Sequence, residues 1–279
     1  MTTQAIAALQ SSAEQHRTQC GAGHITWRVW GTPSALHPPL LLLHGGSGSW
    51  THWVRNIAAL AASGRQVWVP DIPGFGDSPL PDQGQDADAM AAPLEQGLQL
   101  LLGPQPVDVV GFSFGGMVGG YLAADMPSRV ARLVLVGAPG LGLAPRQPIK
   151  LKGWRHLADE AKREAIHRYN LATLMLHQPA SIDADTVALH KANVLRDRIP
   201  GRRLSHTDVL RQSLLRVPCP VSAIYGHQDA LYQGSFDALA ALLHGLPCFR
   251  QLRLIDQAGH WVQYECADAF NAALLPLLD

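Results

Sequence analysis

The strongest constraint on the fold comes from a serine between two glycines, in Gly111-Phe112-Ser113-Phe114-Gly115. The mostly apolar run Val107-Asp108-Val109-Val110 before it predicts a buried strand, and the residues after it open a helix. A serine on such a sharp strand-to-helix turn has strained backbone angles, and the residues two places to either side must be small. The turn would hold the hydroxyl of Ser113 out of the sheet, within reach of a base and a substrate.

Other apolar runs alternate with helix-like segments along the chain. Strands are predicted over residues 25–30, 39–43, 67–69, 132–137, 221–225 and 252–255, and helices over 53–62, 90–102 and 267–278. Strands that alternate with helices indicate an α/β fold with a mostly parallel, doubly wound sheet. Residues 1–20 are expected to form only a short amphipathic or frayed lead-in.

Composition excludes several other classes of protein. With 279 residues, 47% of them apolar and 16% charged, the chain can bury a sizeable core. A net charge of zero gives no indication of nucleic acid binding. No run approaches the about 18 apolar residues of a membrane span, and no signal peptide is recognisable. We expect a cytoplasmic protein without metal or cofactor, because its cysteines lack metal-ligand spacing and suit free thiols: Cys20, Cys219, Cys248 and Cys266.

The serine turn and the order of the other motifs resemble the α/β-hydrolase family, over nearly the full length of the chain. This family places a histidine after its last strand, where His260 follows Gly259. It takes a carboxylate from the loop after the seventh strand, where Asp229 follows Gly226 in the pattern G-x-x-D. The resemblance therefore implies a catalytic triad of Ser113, Asp229 and His260, in which the imidazole activates the serine.

Other carboxylates could in principle orient the imidazole. The family sometimes takes this acid from the loop after the sixth strand, but residues 137–142 hold no carboxylate. Asp256 and Glu265 lie close to His260 in the sequence, yet neither occupies a loop that normally supplies the acid. We interpret both as surface or structural residues.

Negative charge develops on the carbonyl oxygen when a serine attacks it, so N–H donors must point at that oxygen. The resemblance assigns this oxyanion hole to the backbone N–H groups of Phe114 and of Gly46, in the glycine-rich loop 44–48. A phosphate-binding loop is the alternative for 44–48, but neither G-x-x-x-x-G-K-[ST] nor G-x-G-x-x-G occurs there. The motif that joins Asp71, Gly74, Gly76 and Ser78 is a further family match and is expected to shape a loop.

Residues 140–205 interrupt the alternation, because they hold helix-like stretches and no strand run. Their place after the sixth strand resembles the helical lid of many family members. We therefore divide the chain into a core of residues 1–139 and 206–279 and a lid of residues 140–205. Between Leu141 and Ser205, twelve Lys and Arg stand against six Asp and Glu. This excess is either an ordinary solvated surface or a patch that attracts anionic substrates.

Two hydrolytic reactions fit a serine nucleophile in this family. One is hydrolysis of a carboxylic ester or similar acyl substrate through an acyl-enzyme, which we place first. The other is cleavage of a C–C bond in vinylogous diketones, the 2-hydroxy-6-oxo-dienoates, because residues 259–265 are similar to the Gly-His-Trp-x-Gln-x-Glu of those hydrolases. Haloalkane dehalogenases and epoxide hydrolases use Asp in place of Ser113 and are excluded.

The predicted substrate pocket departs from the C–C hydrolases. In that family an Asn precedes the nucleophile and another follows the oxyanion loop, whereas this chain has Phe112 and His52 there. Trp261 is a third candidate pocket residue, and Arg196 and Arg198 are candidates for a substrate-binding arginine of the lid. We expect a small-molecule partner, anionic if the lid recruits it, and neither nucleic acid nor membrane. A non-catalytic binding role and a homodimer remain open alternatives.

Overall fold

The apolar runs of the sequence form one central sheet. In the computed structural model, which describes residues 1–199 and 201–279, eight strands pair in this sheet. The strands are β1 (Glu14–Cys20), β2 (Gly23–Trp30), β3 (Leu40–Leu43), β4 (Val67–Pro70), β5 (Val107–Phe112), β6 (Val130–Val136), β7 (Val221–Gly226) and β8 (Phe249–Ile255). Their order is β1-β2-β4-β3-β5-β6-β7-β8, with β2 antiparallel to both its neighbours and the other pairs parallel. This confirms the mostly parallel α/β sheet.

Strand β3 shows how an apolar run becomes the centre of this sheet. All four of its leucines are fully buried. Leu41 and Leu43 pack into the apolar core on one face, whereas Leu40 and Leu42 pack into the core on the other. Successive side chains of a strand point to opposite faces, so an unbroken apolar run suits a strand that is covered on both sides.

Helices cover both faces of the sheet and connect its strands. They are α1 (Thr3–Ser11), α2 (Ile57–Ala62), α3 (Ala91–Leu102), α4 (Phe114–Asp125), α5 (Glu160–Asn170), α6 (Ala184–Val194), α7 (Val209–Leu214), α8 (Phe236–His244), α9 (Val262–Glu265) and α10 (Ala267–Leu274). The helix predicted over residues 53–62 is instead a 3₁₀ turn, Trp50–Trp53, followed by α2. The described part of the chain contains no helix with the length and apolar character of a membrane span.

The N-terminal segment differs from the expected lead-in. Helix α1 is followed by β1, which pairs with β2 along its whole length from Glu14 to Cys20. Only Thr18 and Cys20 of this strand are buried, so its sequence carries little apolar signal. The strand forms because β2 offers it an unpaired edge and because those two side chains reach the core.

The segment between β6 and β7 holds α5, a π-helical turn (Leu171–Met175) and α6. Its backbone forms hydrogen bonds with the loops that follow two of the core strands. The Trp261 N–H, after β8, donates to the Met175 carbonyl at 2.8 Å. The Arg198 N–H donates to the carbonyl of Gly74, after β4, at 3.0 Å. The segment therefore lies at the carboxyl ends of the strands, and its division from the core at residues 140 and 205 stays a prediction.

Candidate active site

The predicted sharp turn is present between β5 and α4. Ser113 joins the two elements with φ 50° and ψ −115°, outside the regions that non-glycine residues normally occupy. A Cβ on Gly115 would lie 2.4 Å from the Leu43 carbonyl oxygen and 2.5 Å from that of His44. A Cβ on Gly111 would lie 2.4 Å from the Gly115 carbonyl oxygen. Both flanking positions therefore admit only glycine, and Ser113 stays partly exposed above the sheet.

The structure brings the three residues of the expected triad together. The Nε2 atom of His260 lies 3.0 Å from the Ser113 Oγ, and its Nδ1 atom lies 2.9 Å from Asp229 Oδ2. A carboxylate can only accept, so Nδ1 carries the proton and Nε2 is the acceptor that faces the hydroxyl. Asp229 is fully buried, and its second oxygen accepts the Leu231 N–H at 2.9 Å. The loops after β5, β7 and β8 thus hold a hydroxyl, an imidazole and a carboxylate in one hydrogen-bonded line.

Two backbone donors border Ser113. Within residues 1–199 and 201–279, neither the Gly46 N–H nor the Phe114 N–H has a protein acceptor. The Phe114 N–H is the first of α4, and the first N–H groups of a helix have no acceptor inside it. Loop 44–48 packs against the turn, because a Cβ on Gly45 would lie 3.3 Å from the Ser113 Cβ. The two donors therefore belong to the turn of Ser113 and to the loop that packs against it.

The two carboxylates near His260 in the sequence have different surroundings. Asp256 is exposed and contacts the Nδ1 atom of His227 at 2.9 Å. Glu265 is 9% exposed, and its carboxylate accepts three backbone N–H groups. One comes from Gly259, directly before His260, and two come from His177 and Gln178 in the segment between β6 and β7. Glu265 therefore fastens the loop of the imidazole to that segment.

The three candidate pocket residues pack together beside the triad. His52 is 3% exposed, and its ring centroid lies 4.7 Å from that of Trp261 and 5.5 Å from that of Phe112. The Phe112 ring in turn lies 5.0 Å from the ring of His260. We call Phe112, His52 and Trp261 the wall. His52 Nδ1 accepts the Gly45 N–H at 3.2 Å, and this hydrogen bond joins the wall to the glycine-rich loop. Contact of these side chains with a substrate stays a prediction.

Buried imidazoles give this wall no positive charge at neutral pH. Burial lowers the pKa of His44, and it lowers the pKa of His52 well below the ordinary value. The neighbouring imidazoles His44, His190 and His260 lower the pKa of His52 further. Burial also lowers the pKa of His190, on α6, to about 4. These rings therefore offer no positive charge that could pair with a bound anion at neutral pH.

The lid arginines suggested by the sequence have partners elsewhere. Arg196 pairs with Asp77 at 2.9 Å, and Arg198 donates to the carbonyls of Gly76 and Ser78. Sequence reasoning missed Arg202, whose guanidinium lies against Gly46, with Nε 3.2 Å from the position of a Cβ there. The excess of arginine in residues 141–205 was the available signal, but it does not say which of them reaches the glycine-rich loop.

No group of three or more His, Cys, Asp or Glu side chains among the described residues is arranged to hold a metal ion. The four cysteines are free thiols, two of them buried and two partly exposed.

Comparison with known proteins identifies the architecture. Residues 38–162 match the family model of the alpha/beta hydrolase fold. The chain is 28% identical over 253 residues to a 2-hydroxy-6-oxo-6-phenylhexa-2,4-dienoate hydrolase of Burkholderia cepacia, covering 86% of this chain and 87% of that one. It is also 28% identical to a 2-hydroxy-6-oxononadienedioate/2-hydroxy-6-oxononatrienedioate hydrolase of Dechloromonas aromatica, covering 94% and 90% of the two chains.

Solved structures agree on the fold. An esterase from a Rhodococcus species superposes with a TM-score of 0.75 at 23% identity, covering 96% of this chain and 98% of that one. A point mutant of the meta-cleavage product hydrolase CumD, from Pseudomonas fluorescens, superposes with a TM-score of 0.71 at 20% identity, covering 94% and 97%. The chain is therefore a protein of the alpha/beta hydrolase fold, similar in sequence to 2-hydroxy-6-oxo-dienoate hydrolases and in architecture to esterases and meta-cleavage product hydrolases alike.

Proposed function

We propose that this protein is a serine hydrolase in which Ser113, His260 and Asp229 form the catalytic triad. The observation that carries the proposal is the continuous contact from Ser113 Oγ through both ring nitrogens of His260 to the buried Asp229. A serine hydroxyl becomes an effective nucleophile when a base accepts its proton during attack. The strained turn at Ser113 adds support, because it holds the hydroxyl where His260 can do so.

The first half of the reaction forms an acyl-enzyme. Ser113 Oγ attacks the substrate carbonyl carbon while His260 Nε2 takes the hydroxyl proton. Asp229 holds the ring by accepting Nδ1–H and stabilises the imidazolium that forms. The negative charge on the carbonyl oxygen is met by the N–H groups of Gly46 and Phe114. When the tetrahedral intermediate collapses, His260 gives its proton to the leaving group.

Water completes the reaction. His260 takes a proton from a water molecule that attacks the acyl carbon, and the same two N–H groups stabilise the second oxyanion. Collapse of this intermediate releases the acid and returns the proton to Ser113. Every proton step passes through His260 Nε2, so one imidazole serves as base and acid in turn.

We propose a carboxylic ester, or a similar uncharged acyl compound, as the first substrate class. The wall beside the triad consists of the apolar Phe112 and Trp261 and the neutral His52. Three lid arginines are engaged by protein groups: Arg196 by Asp77, Arg198 by backbone carbonyls and Arg202 by Asp197. These features favour a substrate without a carboxylate that would need its own cation.

Cleavage of a C–C bond in a 2-hydroxy-6-oxo-dienoate is the second candidate. It is supported by the relatives in sequence, which carry such names, and by their coverage of most of the chain. The segment 259–265, with its similarity to those hydrolases, lies at the site, because it includes His260 and the wall residue Trp261. The same triad would attack the 6-oxo carbon in this reaction.

The experiment measures kcat/KM for a short-chain aryl ester and for a 2-hydroxy-6-oxo-dienoate, side by side, with Ser113→Ala as the blank. We expect turnover that the Ser113→Ala variant loses. His260→Ala should lower kcat by at least about 10³-fold, because the Ser–His pair acts as a unit. Asp229→Asn should also be severe but less complete than His260→Ala, because it mainly disturbs the tautomer of the imidazole.

Either substrate preference refines the proposal, and two other outcomes count against it. Preference for the ester supports the uncharged pocket. Preference for the dienoate makes the protein a C–C hydrolase that binds its dienolate with groups other than the two Asn side chains that this chain lacks. Turnover that persists in Ser113→Ala would refute the nucleophile. Absence of turnover on both substrates, together with binding of either one, would favour the non-catalytic alternative.

A further inference from the structure

Three polar side chains fasten the chain that follows α6 to the glycine-rich loop. Ser47 Oγ donates to Asp197 Oδ2 at 2.5 Å, and Arg202 Nη2 donates to the Ser47 Oγ at 2.9 Å. Arg202 Nη1 closes the triangle by donating to both Asp197 oxygens, at 2.9 and 3.2 Å. We call Ser47, Asp197 and Arg202 the clamp. The side chains of Asp197 and Arg202 are only 13% and 23% exposed, so this ion pair is partly shielded from water.

The backbone at Ser47 lies in the left-handed region, where serine is uncommon. Loop 45–48 is a turn in which the Gly48 N–H donates to the Gly45 carbonyl, and Ser47 has φ 53°. Glycine is favoured at the third position of a turn with this geometry, and another residue there costs roughly 1–2 kcal/mol. Serine at this position accepts that strain and provides the hydroxyl that joins Asp197 to Arg202.

The clamp acts next to both backbone donors of the proposed oxyanion hole. Ser47 directly follows Gly46, and the guanidinium of Arg202 lies 3.2–3.4 Å from where a Gly46 Cβ would be. The same guanidinium lies 5.3 Å from the ring centroid of Phe75 and 5.9 Å from that of Phe114. Arg202 therefore packs across the residues that carry the two free N–H groups.

We propose that the clamp positions the Gly46 N–H for the oxyanion, so that the oxyanion hole is complete only when Asp197 and Arg202 hold Ser47. Arg202 and Ser47 are then positioning residues of the reaction, and the proposal rests on the serine hydrolase function proposed above. Direct binding of a substrate anion by Arg202 is the competing role, but Asp197 already compensates its charge through two contacts.

The two roles have different kinetic signatures. A positioning clamp acts on the transition state, so its loss lowers kcat for neutral and anionic substrates alike and leaves KM nearly unchanged. An anion-binding arginine acts on the bound substrate, so its loss raises KM for anionic substrates only. Affinity for a boronic acid, which forms a tetrahedral adduct with the serine, reports on the oxyanion hole without turnover.

The test uses Ser47→Gly, Arg202→Gln and Arg202→Lys, with Arg203→Gln as the control. Ser47→Gly removes the hydroxyl while glycine tolerates the turn, so the variant should fold normally. We expect Ser47→Gly and Arg202→Gln to lower kcat by about 10-fold to 100-fold, as small misplacements in active sites do, and to weaken boronate binding in parallel. Arg202→Lys should recover only part of the loss, because lysine lacks the fork that reaches Asp197 and Ser47 together. Arg203 is adjacent and exposed, so Arg203→Gln should match the wild type.

The outcomes separate this inference from the function on which it rests. Wild-type kcat and boronate affinity in a folded Ser47→Gly variant would overturn the clamp, even if Ser113→Ala is inactive. A rise of KM confined to anionic substrates in Arg202→Gln would overturn it in favour of direct anion binding. Activity that survives Ser113→Ala would remove the function itself, whatever the clamp variants do.

Discussion

Glu265 offers the sharpest test of how the loop of His260 is held. Its Oε2 accepts the Gly259 N–H at 2.6 Å and the His177 N–H at 3.0 Å, and its Oε1 accepts the Gln178 N–H at 2.7 Å. In Glu265→Gln one of the two oxygens becomes an NH₂ group. The best orientation keeps the oxygen at Oε2, which leaves the NH₂ facing the Gln178 N–H, donor against donor.

The contacts set the expected loss of stability. A buried donor that loses its acceptor costs about 1–3 kcal/mol. The Gln178 N–H is only part-buried, so Glu265→Gln should lower the free energy of unfolding by the lower end of that range, about 1 kcal/mol. Glu265→Ala leaves three donors without the carboxylate and should cost about 3 kcal/mol or more. Native proteins of this kind have about 5–15 kcal/mol in total, so both variants should remain folded at room temperature. Because Gly259 precedes His260, kcat should fall as well.

Urea unfolding, followed by the fluorescence of the buried tryptophans, measures the free energy, and ester turnover measures kcat. Asp256→Asn is the matched control, because Asp256 is a carboxylate equally near His260 in sequence but exposed. Its effect on stability should stay within about 0.5 kcal/mol. If Glu265→Gln and Asp256→Asn were equally mild, the three N–H contacts would not hold this loop, and the reasoning would be wrong.

Two further predictions concern stability and the sharp turn. Because burial lowers the pKa of His44, His52 and His190, the unfolded chain binds more protons than the folded one below about pH 6.5. The urea concentration at the midpoint of unfolding should thus be constant above about pH 7 and fall from about pH 6.5 towards pH 4. If His190→Gln showed the same dependence of this midpoint on pH, that ring would make no contribution. Gly115→Ala should abolish activity and lower thermal stability, because its Cβ would meet two carbonyl oxygens at 2.4 and 2.5 Å; an active, equally stable variant would disprove that crowding.

Local patterns in the sequence were sufficient for the central sheet. The leucines of β3 and the valines of β5 are buried on both faces of the sheet, and a strand covered on both faces is mostly apolar. Asp108 of β5 is the exception, and Arg65 and Arg132 pair with its carboxylate. The turn at Ser113 could also be predicted from the sequence, since its geometry requires small residues two positions before and after the serine. Strand β1 could not be predicted from the sequence, because only two of its side chains are buried and its formation depends on pairing with β2.

The sequence by itself therefore determined the α/β class, the sharp turn that exposes Ser113 and the order in which Asp229 and His260 follow it. Tertiary structure alone decided what holds that site in shape. Ser47 meets Asp197 across 150 positions of sequence, and Glu265 meets His177 across 88. Steric rules act between neighbours and leave a pattern in the sequence, whereas hydrogen bonds between distant loops depend only on where the folded sheet places those loops.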